Sequence, residues 1–294
     1  MFRSSPVLLL FFTIQCTQPE PLAKIQDNIV HEFTHGKGTF ALAWKDIQTG
    51  EQILINADSF FHAASTMKTP VMIEVYKQAD DGRFALSDSV TIQNQFYSIV
   101  DSSLYSLSNQ DDSEPELYNQ IGKKKSIADL VYQMIISSSN LATNIIIDLV
   151  DARKVTESMQ ALGAKNIEVL RGVEDTKAFE SGLNNRTTAN DLLAIFDALA
   201  KGIVVSAEAN NEMLEILFDQ KFNDIIPALL PSDVKIAHKT GSITGVHHDS
   251  GIVFLPDGRK YVLIILSKNL QDFDLGTSTM ARVSKIIYDY MMRS

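Results

Sequence analysis

The chain has 294 residues, 45% of them apolar and 21% charged, with a net charge of −10. That length holds one large domain or two lobes around a sizeable core, and the composition is that of an ordinary globular protein. The acidic balance excludes a nucleic-acid binder, which needs a basic face; the one basic run, residues 123–125, reads as a solvated loop.

The first residues form a separate piece. Arg3 precedes an apolar run over 7–14 that is far too short to span a bilayer as a helix. A basic start, a short apolar stretch and a cut describe a secretory leader. Cys16, the sole cysteine, stands where the cut would fall, ahead of a polar, proline-bearing stretch over 17–22. A single cysteine cannot form an intrachain disulfide. Cys16 resembles the acylated cysteine of bacterial lipoproteins, although Thr13-Ile14-Gln15 departs from the small residue usual before it. The expectation is an exported, periplasmic protein with a lipid anchor on Cys16; the alternative is an ordinary secretory leader with an incidental cysteine.

Beyond the leader, residues 38–45 (GTFALAWK) and 51–56 (EQILIN) are strand-like and joined through Thr49-Gly50, which reads as a hairpin. Helical periodicity then dominates, over 66–80, 126–137, 141–151, 153–162, 188–201 and 208–218. The region 97–125 is rich in Ser, Asp and Asn and reads as a long surface excursion. Short apolar runs return over 234–239, 251–255 and 261–267, the last two joined around Pro256-Asp257-Gly258, and an amphipathic helix over 276–292 follows. Strands at both ends with helices between them predict one antiparallel sheet, flanked by the terminal helices, with a helical lobe inserted. The division is a leader and linker over 1–22, an α/β lobe over 23–61 and 235–294, and a helical lobe over 62–234. A cleft is expected where the lobes meet.

Three short motifs carry chemistry. Ser65-Thr66-Met67-Lys68 opens the apolar helix, with Val71, Met72 and Val75 at helical spacing behind it. A helix start offers free N–H groups and partial positive charge, and residues three apart share a face, so Lys68 reaches toward the Ser65 hydroxyl. A buried lysine loses its charge more readily, and a neutral amine can take the serine proton. Alone, the motif equally fits an N-cap serine followed by a surface lysine; Ser232-Asp233-Val234-Lys235 matches the same pattern on a strand approach. Ser138-Ser139-Asn140 forms a polar junction between the apolar runs VYQMII and LATNIII, where a serine and an amide could relay a proton and bind a carbonyl, or simply cap a helix. Lys239-Thr240-Gly241 lies on a strand, where its first two residues would face an anion and the glycine lets another backbone approach; alone, it equally fits a strand with a turn glycine. Ser242 follows, and its N–H could join that of Ser65 as an oxyanion hole.

The order S-x-x-K, S-x-N, K-T-G, each on the element its chemistry needs, is the set found in class A β-lactamases and penicillin-binding proteins. Over residues 25–292 the chain resembles the class A-type serine β-lactamases and their related serine hydrolases. The resemblance implies an α/β, β-lactamase/penicillin-binding-protein-like fold: a five-stranded antiparallel sheet with flanking helices plus an inserted all-helical lobe. It implies Ser65 as the acylated nucleophile, Lys68 as its proton partner, and Ser138 as the donor to the leaving nitrogen. Asn140 would orient Lys68 and the substrate, Lys239 and Thr240 would hold the substrate carboxylate, and Gly241 and Ser242 would complete the substrate-binding strand. Asn144 resembles a structural asparagine of the family. The substrate would be a small-molecule β-lactam or a peptidoglycan-derived group, with no cofactor and no metal, and the protein a monomer.

The match has departures. A deacylating glutamate is expected on the loop before Thr187-Thr188; Glu174, 13 residues before Thr187, is the choice, with Glu168 and Glu180 as further candidates. The family's E-x-x-L-N continuation is absent, with Ala178 where the asparagine would stand, and Arg186 occupies the place of an aspartate expected to clamp Arg171. Ser139 replaces the aspartate of S-D-N. His247-His248-Asp249 look like metal ligands but read as a turn after the K-T-G strand, and His62 is poorly placed to serve Ser65. Were Glu174 misplaced, the acyl-enzyme would persist, as in a D-alanyl-D-alanine carboxypeptidase or an esterase of the same fold. A non-catalytic β-lactam-binding sensor module is the remaining alternative.

Overall fold

A computed structural model describes residues 21–293; the leader reading, Cys16 included, lies outside the described residues. The helices are α1 (Leu22–His35), α2 (Lys68–Asp80), α3 (Ile127–Ile136), α4 (Asn140–Val150), α5 (Ala152–Ala161), α6 (Thr176–Glu180), α7 (Ala189–Lys201), α8 (Ala207–Phe218) and α9 (Phe273–Arg293). The strands are β1 (Thr39–Asp46), β2 (Gln52–Ile55), β3 (Phe61–His62), β4 (Ser89–Thr91), β5 (Phe96–Tyr97), β6 (Leu104–Tyr105), β7 (Lys124–Ser126), β8 (Arg186–Thr187), β9 (Lys235–Ile243), β10 (Val246–Phe254) and β11 (Lys260–Lys268). A 3-10 turn, Ala64–Met67, leads into α2. Among the described residues no helix is long and apolar enough to cross a membrane.

One antiparallel sheet joins the two ends of the chain in the order β2-β1-β11-β10-β9. β1 and β11 lie at its centre and are buried on both faces, so they read as continuous apolar runs. Alternation sends Phe40, Leu42 and Trp44 to one face, where α1 and α9 cover them, and Ala41 and Ala43 to the other, against the helical lobe. The small alanines let helices come close, and α7 packs directly on β1 and β11 from within the insertion. Apolar side chains thus fill both sides of the sheet, and the helical lobe shares its core with the inner face.

The predicted helices and strands all form, with three differences. Leu22–His35 is helical: Ile25, Ile29 and Phe33 recur at one-turn spacing and bury against α9, in a stretch that the sequence reading places in the α/β lobe without giving it a helix range. His247, His248 and Asp249 lie on β10 and not on a turn; the strand starts at Val246, immediately after the two-residue Thr244-Gly245 connection, with Gly245 at φ +72°. The 97–125 excursion is more than surface: Leu117 is fully buried, and Asp112 is only 7% exposed. It folds back through the β5–β6 hairpin and the β4–β7 pair to lie over the start of α4.

Candidate active site

β9 is the free edge of the sheet, and its K-T-G segment runs against the 3-10 turn that carries Ser65. A Cβ added at Gly241 would lie 2.9 Å from the Ser65 nitrogen and 3.0 Å from that of Thr66, so only glycine permits this approach. Ser65, half-buried, is the second residue of the turn, where an N–H has no intrahelical acceptor. Ser242 faces His247 across the β9–β10 ladder. The His247 N–H and C=O both engage the Ser267 side chain on the opposite side, at 3.0 and 2.5 Å. A strand residue turns both backbone groups the same way, so Ser242–His247 is a non-hydrogen-bonded pair and the Ser242 N–H points off the sheet edge, toward the 3-10 turn. Two backbone donors therefore converge on the mouth of the turn.

Lys68, the first residue of α2, is fully buried, and its ammonium group finds three acceptors: Ser138 O at 2.7 Å, Ser138 Oγ at 3.1 Å and Asn140 Oδ1 at 3.0 Å. Burial pulls its pKa down to about 7, against the opposing charges of Asp112 and Glu174. Lys239 reaches the same hydroxyl from β9, donating to Ser138 Oγ at 3.2 Å and to Thr240 O at 2.9 Å. It too is held well below the usual lysine range, by burial first and by Lys68 second. A serine oxygen has two lone pairs and one proton. With two amines donating to it, Ser138 is left with its own proton to give. Its backbone sits in the left-handed region, φ +57°, at the junction of α3 and α4, which aims the side chain between the two lysines.

Asn140 links this cluster to the loop. Its Oδ1 accepts from Lys68 and its Nδ2 donates to Glu174 Oε1 at 2.8 Å. Burial raises the Glu174 pKa above the ordinary glutamate value, and the nearby Asp112 and Asp111 add to this. Glu174 itself holds φ +61°, a strained conformation for a non-glycine residue, costing on the order of 1–3 kcal/mol. The surrounding loop is over-determined. Asn144 Oδ1 accepts from Val173 N at 2.6 Å, while its Nδ2 donates to Val173 O at 3.0 Å and to Tyr105 Oη at 3.2 Å. Asn185 Oδ1 accepts from the Leu170 and Arg171 nitrogens, and its Nδ2 donates back to Arg171 O. Arg171 donates to Leu183 O at 2.9 Å and Asn184 Oδ1 at 3.0 Å.

That last pair explains the missing clamp. The carbonyl of Leu183 and the amide of Asn184 take the place of the expected aspartate. Arg186 turns outward, to Glu168 at 2.7 Å and over the Phe60 ring at 4.5 Å. Glu168 is thereby engaged away from the cleft, and Glu180 is exposed at the end of α6. Ala178 is fully buried, its N–H capped by Asp175, and presents no polar group to a water beside Glu174.

Two adjoining cavities, each of about 330 Å³, meet at Ser65, Asn140 and Ser242. The first is closed by Glu174 and Arg171, the second by Ser138, Thr240 and Gly241. Every residue singled out for catalysis or binding therefore lines these cavities or, for Lys68 and Lys239, bonds to Ser138 at their rim. His62 is otherwise engaged: its Nδ1 accepts from Ala64 N at 3.0 Å, and burial, then the Arg171 charge, lowers its pKa. His248, with its pKa lowered to about 4 by burial, donates through Nε2 to His62 O and accepts at Nδ1 from Ser267 N, which fastens β10 to β3. His247 stacks on Phe273 and meets Thr277. Among the described residues no group of three His, Cys, Asp or Glu side chains could hold a metal. Sequence reasoning missed Asp112, Tyr105 and Asn185; the Asp-rich excursion offered a faint signal for the first only.

A serine and a buried lysine on one helix start, a second serine between two lysines, and a backbone donor pair at a sheet edge define a serine acyl-transfer hydrolase. The chain matches the model of the β-lactamase enzyme family over residues 21–291, nearly its whole length, and belongs to that family. It is 22% identical to a β-lactamase of Bacteroides uniformis, with 97% of each chain covered. Among solved structures it is similar to a β-lactamase from Sphaerobacter thermophilus (TM-score 0.78, 26% identity, covering 93% of this chain and 99% of that one). It is equally similar to a mutant of PBP-A determined as an acyl-enzyme complex with penicillin G (TM-score 0.79, 26% identity, 94% and 99% covered). The fold is thus the five-stranded β-lactamase and penicillin-binding-protein fold that the motifs implied.

Proposed function

We propose that the protein hydrolyses β-lactams through an acyl-enzyme on Ser65. The observation that carries this reading is the fully buried Lys68 amine, poised near neutrality and bonded to both Ser138 and Asn140. Neutral Lys68 takes the Ser65 proton as Oγ attacks the lactam carbonyl. The developing oxyanion receives the Ser65 and Ser242 N–H groups. Ser138 gives its proton to the departing nitrogen and recovers one from the lysines. Lys239 and Thr240 meet the substrate carboxylate. Glu174, held by Asn140, then deprotonates a water that cleaves the ester and frees Ser65.

A second reading has one specific support: Asn140 is bonded to Glu174 from α4, but position 178 of the loop, a buried alanine, adds no second amide to hold a water there. Slow deacylation would make the protein a D-alanyl-D-alanine carboxypeptidase or an esterase. Time-resolved intact mass with benzylpenicillin separates the readings. A β-lactamase forms a transient adduct that Glu174→Gln traps, and loses both adduct and hydrolysis in Ser65→Ala. A lasting adduct on the parent protein favours the second reading, and hydrolysis unchanged by Ser65→Ala overturns both. No adduct with any β-lactam or ester probe would leave a sensor module. Export to the periplasm and a lipid anchor on Cys16 belong to the same proposal, supported by the leader pattern of residues 1–16.

A further inference from the structure

Asp112 comes from the 97–125 excursion, yet its carboxylate is buried at the start of α4. Oδ2 accepts from Leu141 N at 2.8 Å and Tyr118 Oη at 3.0 Å, with Ser139 Oγ at 3.4 Å; Oδ1 accepts from Glu114 N at 3.0 Å. The first residue of α4 is Asn140, which bonds Lys68 with one side-chain atom and Glu174 with the other. The position before it holds Ser139 where the S-D-N pattern has an aspartate. A carboxylate is therefore missing from the motif and present from elsewhere in the chain, on the Leu141 N–H and the Ser139 hydroxyl at the same helix start, where negative charge is favoured.

We propose that Asp112 is a positioning residue for acyl transfer: delivered by the excursion, it replaces the aspartate of S-D-N, fixes the Asn140 backbone and supplies the negative charge that holds Lys68 and Glu174 in register. The proposal rests on Lys68 and Glu174 as the proton-transfer groups. The charged groups facing Lys68 are Asp112, Glu174 from the loop and Lys239 from β9, with Asp111 and the Tyr118 hydroxyl behind them. Asp112 acts on both proton-transfer groups in one direction. Its charge favours the Lys68 ammonium and opposes the Glu174 carboxylate, so it raises both pKa values. Removing the charge lets each group lose its proton at lower pH. The acid limb of the reaction therefore moves toward acid whichever of the two it reports.

The test is the pH profile of Ser65 acylation, read in single turnovers with a labelled penicillin over about pH 5 to 9, on the parent, on Asp112→Asn, and on Asp112→Asn with Ser139→Asp. The Asn variant should lose about tenfold of the plateau and shift its acid limb about one pH unit toward acid. Restoring a carboxylate at position 139 should return the limb toward the parent. A folded Asp112→Asn with a lower plateau but an unmoved limb overturns the proposal, because a purely structural cap changes amplitude alone. If the single variant melts below the assay temperature, the double variant decides: a parental limb supports the exchange, and a shifted limb overturns it. A parent that never acylates would defeat the reading of Lys68 and leave the distinction plain.

Discussion

Gly241→Ala is the substitution whose consequence the geometry fixes most tightly. The new Cβ would meet Ser65 N at 2.9 Å, Thr66 N at 3.0 Å and the Ala64 Cβ at 3.2 Å. All three belong to the 3-10 turn, and none is the end of a flexible side chain, so relief must come from the backbone. Ordinary contact begins near 3.4 Å, so β9 must withdraw by about 0.5 Å. Overpacking of this kind costs about 1–3 kcal/mol, which a urea titration would read as a lower midpoint at unchanged slope. The same withdrawal carries the Ser242 N–H away from the Ser65 N–H. Oxyanion donors act at about 2.7–3.1 Å, and losing one costs about 10²–10³ in rate. Acylation by a chromogenic cephalosporin in single turnovers should therefore fall about 10²-fold, with substrate affinity much less changed. Acylation within about threefold of the parent would refute the reasoning, since strand and turn would then separate without disturbing the site.

Acylation by the parent protein should rise with pH and reach half its plateau near about 7, because the neutral Lys68 amine is the proton acceptor and burial sets its pKa there; Lys68→Arg, which cannot lose its charge, should abolish this limb and lower the rate at least about 10³-fold. Asn144→Ala removes three hydrogen bonds to Val173 and Tyr105 and leaves the half-buried Val173 N–H without its acceptor; unfolding free energy should drop by about 2–3 kcal/mol, and deacylation should slow at least tenfold, about what a freed Glu174 implies, as read by adduct lifetime. Cys16→Ser should move the protein from the membrane fraction to the soluble one and remove acyl label from it; an unchanged distribution would leave an ordinary secretory leader.

Much of the site was legible because its chemistry is local. Ser65 and Lys68 share one turn, Ser138 and Asn140 flank a helix start, and Lys239 to Gly241 are adjacent on a strand. Each pattern is fixed by a spacing of three residues or fewer. The strands and helices were legible for the same reason, since apolar periods of two and of 3.6 are properties of consecutive residues. Boundaries failed where function had replaced that pattern. The polar His247-His248-Asp249 hid the first half of β10, because this strand next to the cleft buries His248 on the His62 carbonyl and His247 against Thr277 where an ordinary strand buries leucine. The helix Leu22–His35 was missed because its three apolar residues make sense only against α9.

The chain's own order of residues settled which groups could react, which elements would carry them, and that a sheet closed from both ends would bring them near one another. Folding in three dimensions decided the state of those groups. Lys68 becomes a base only because packing removes water from it, Glu174 faces the cleft only because Asn144, Asn185 and Arg171 hold its loop, and Asp112 matters only because the excursion returns to α4. Desolvation and charge–charge effects depend on distance through space, and residues separated by dozens of positions along the chain set them.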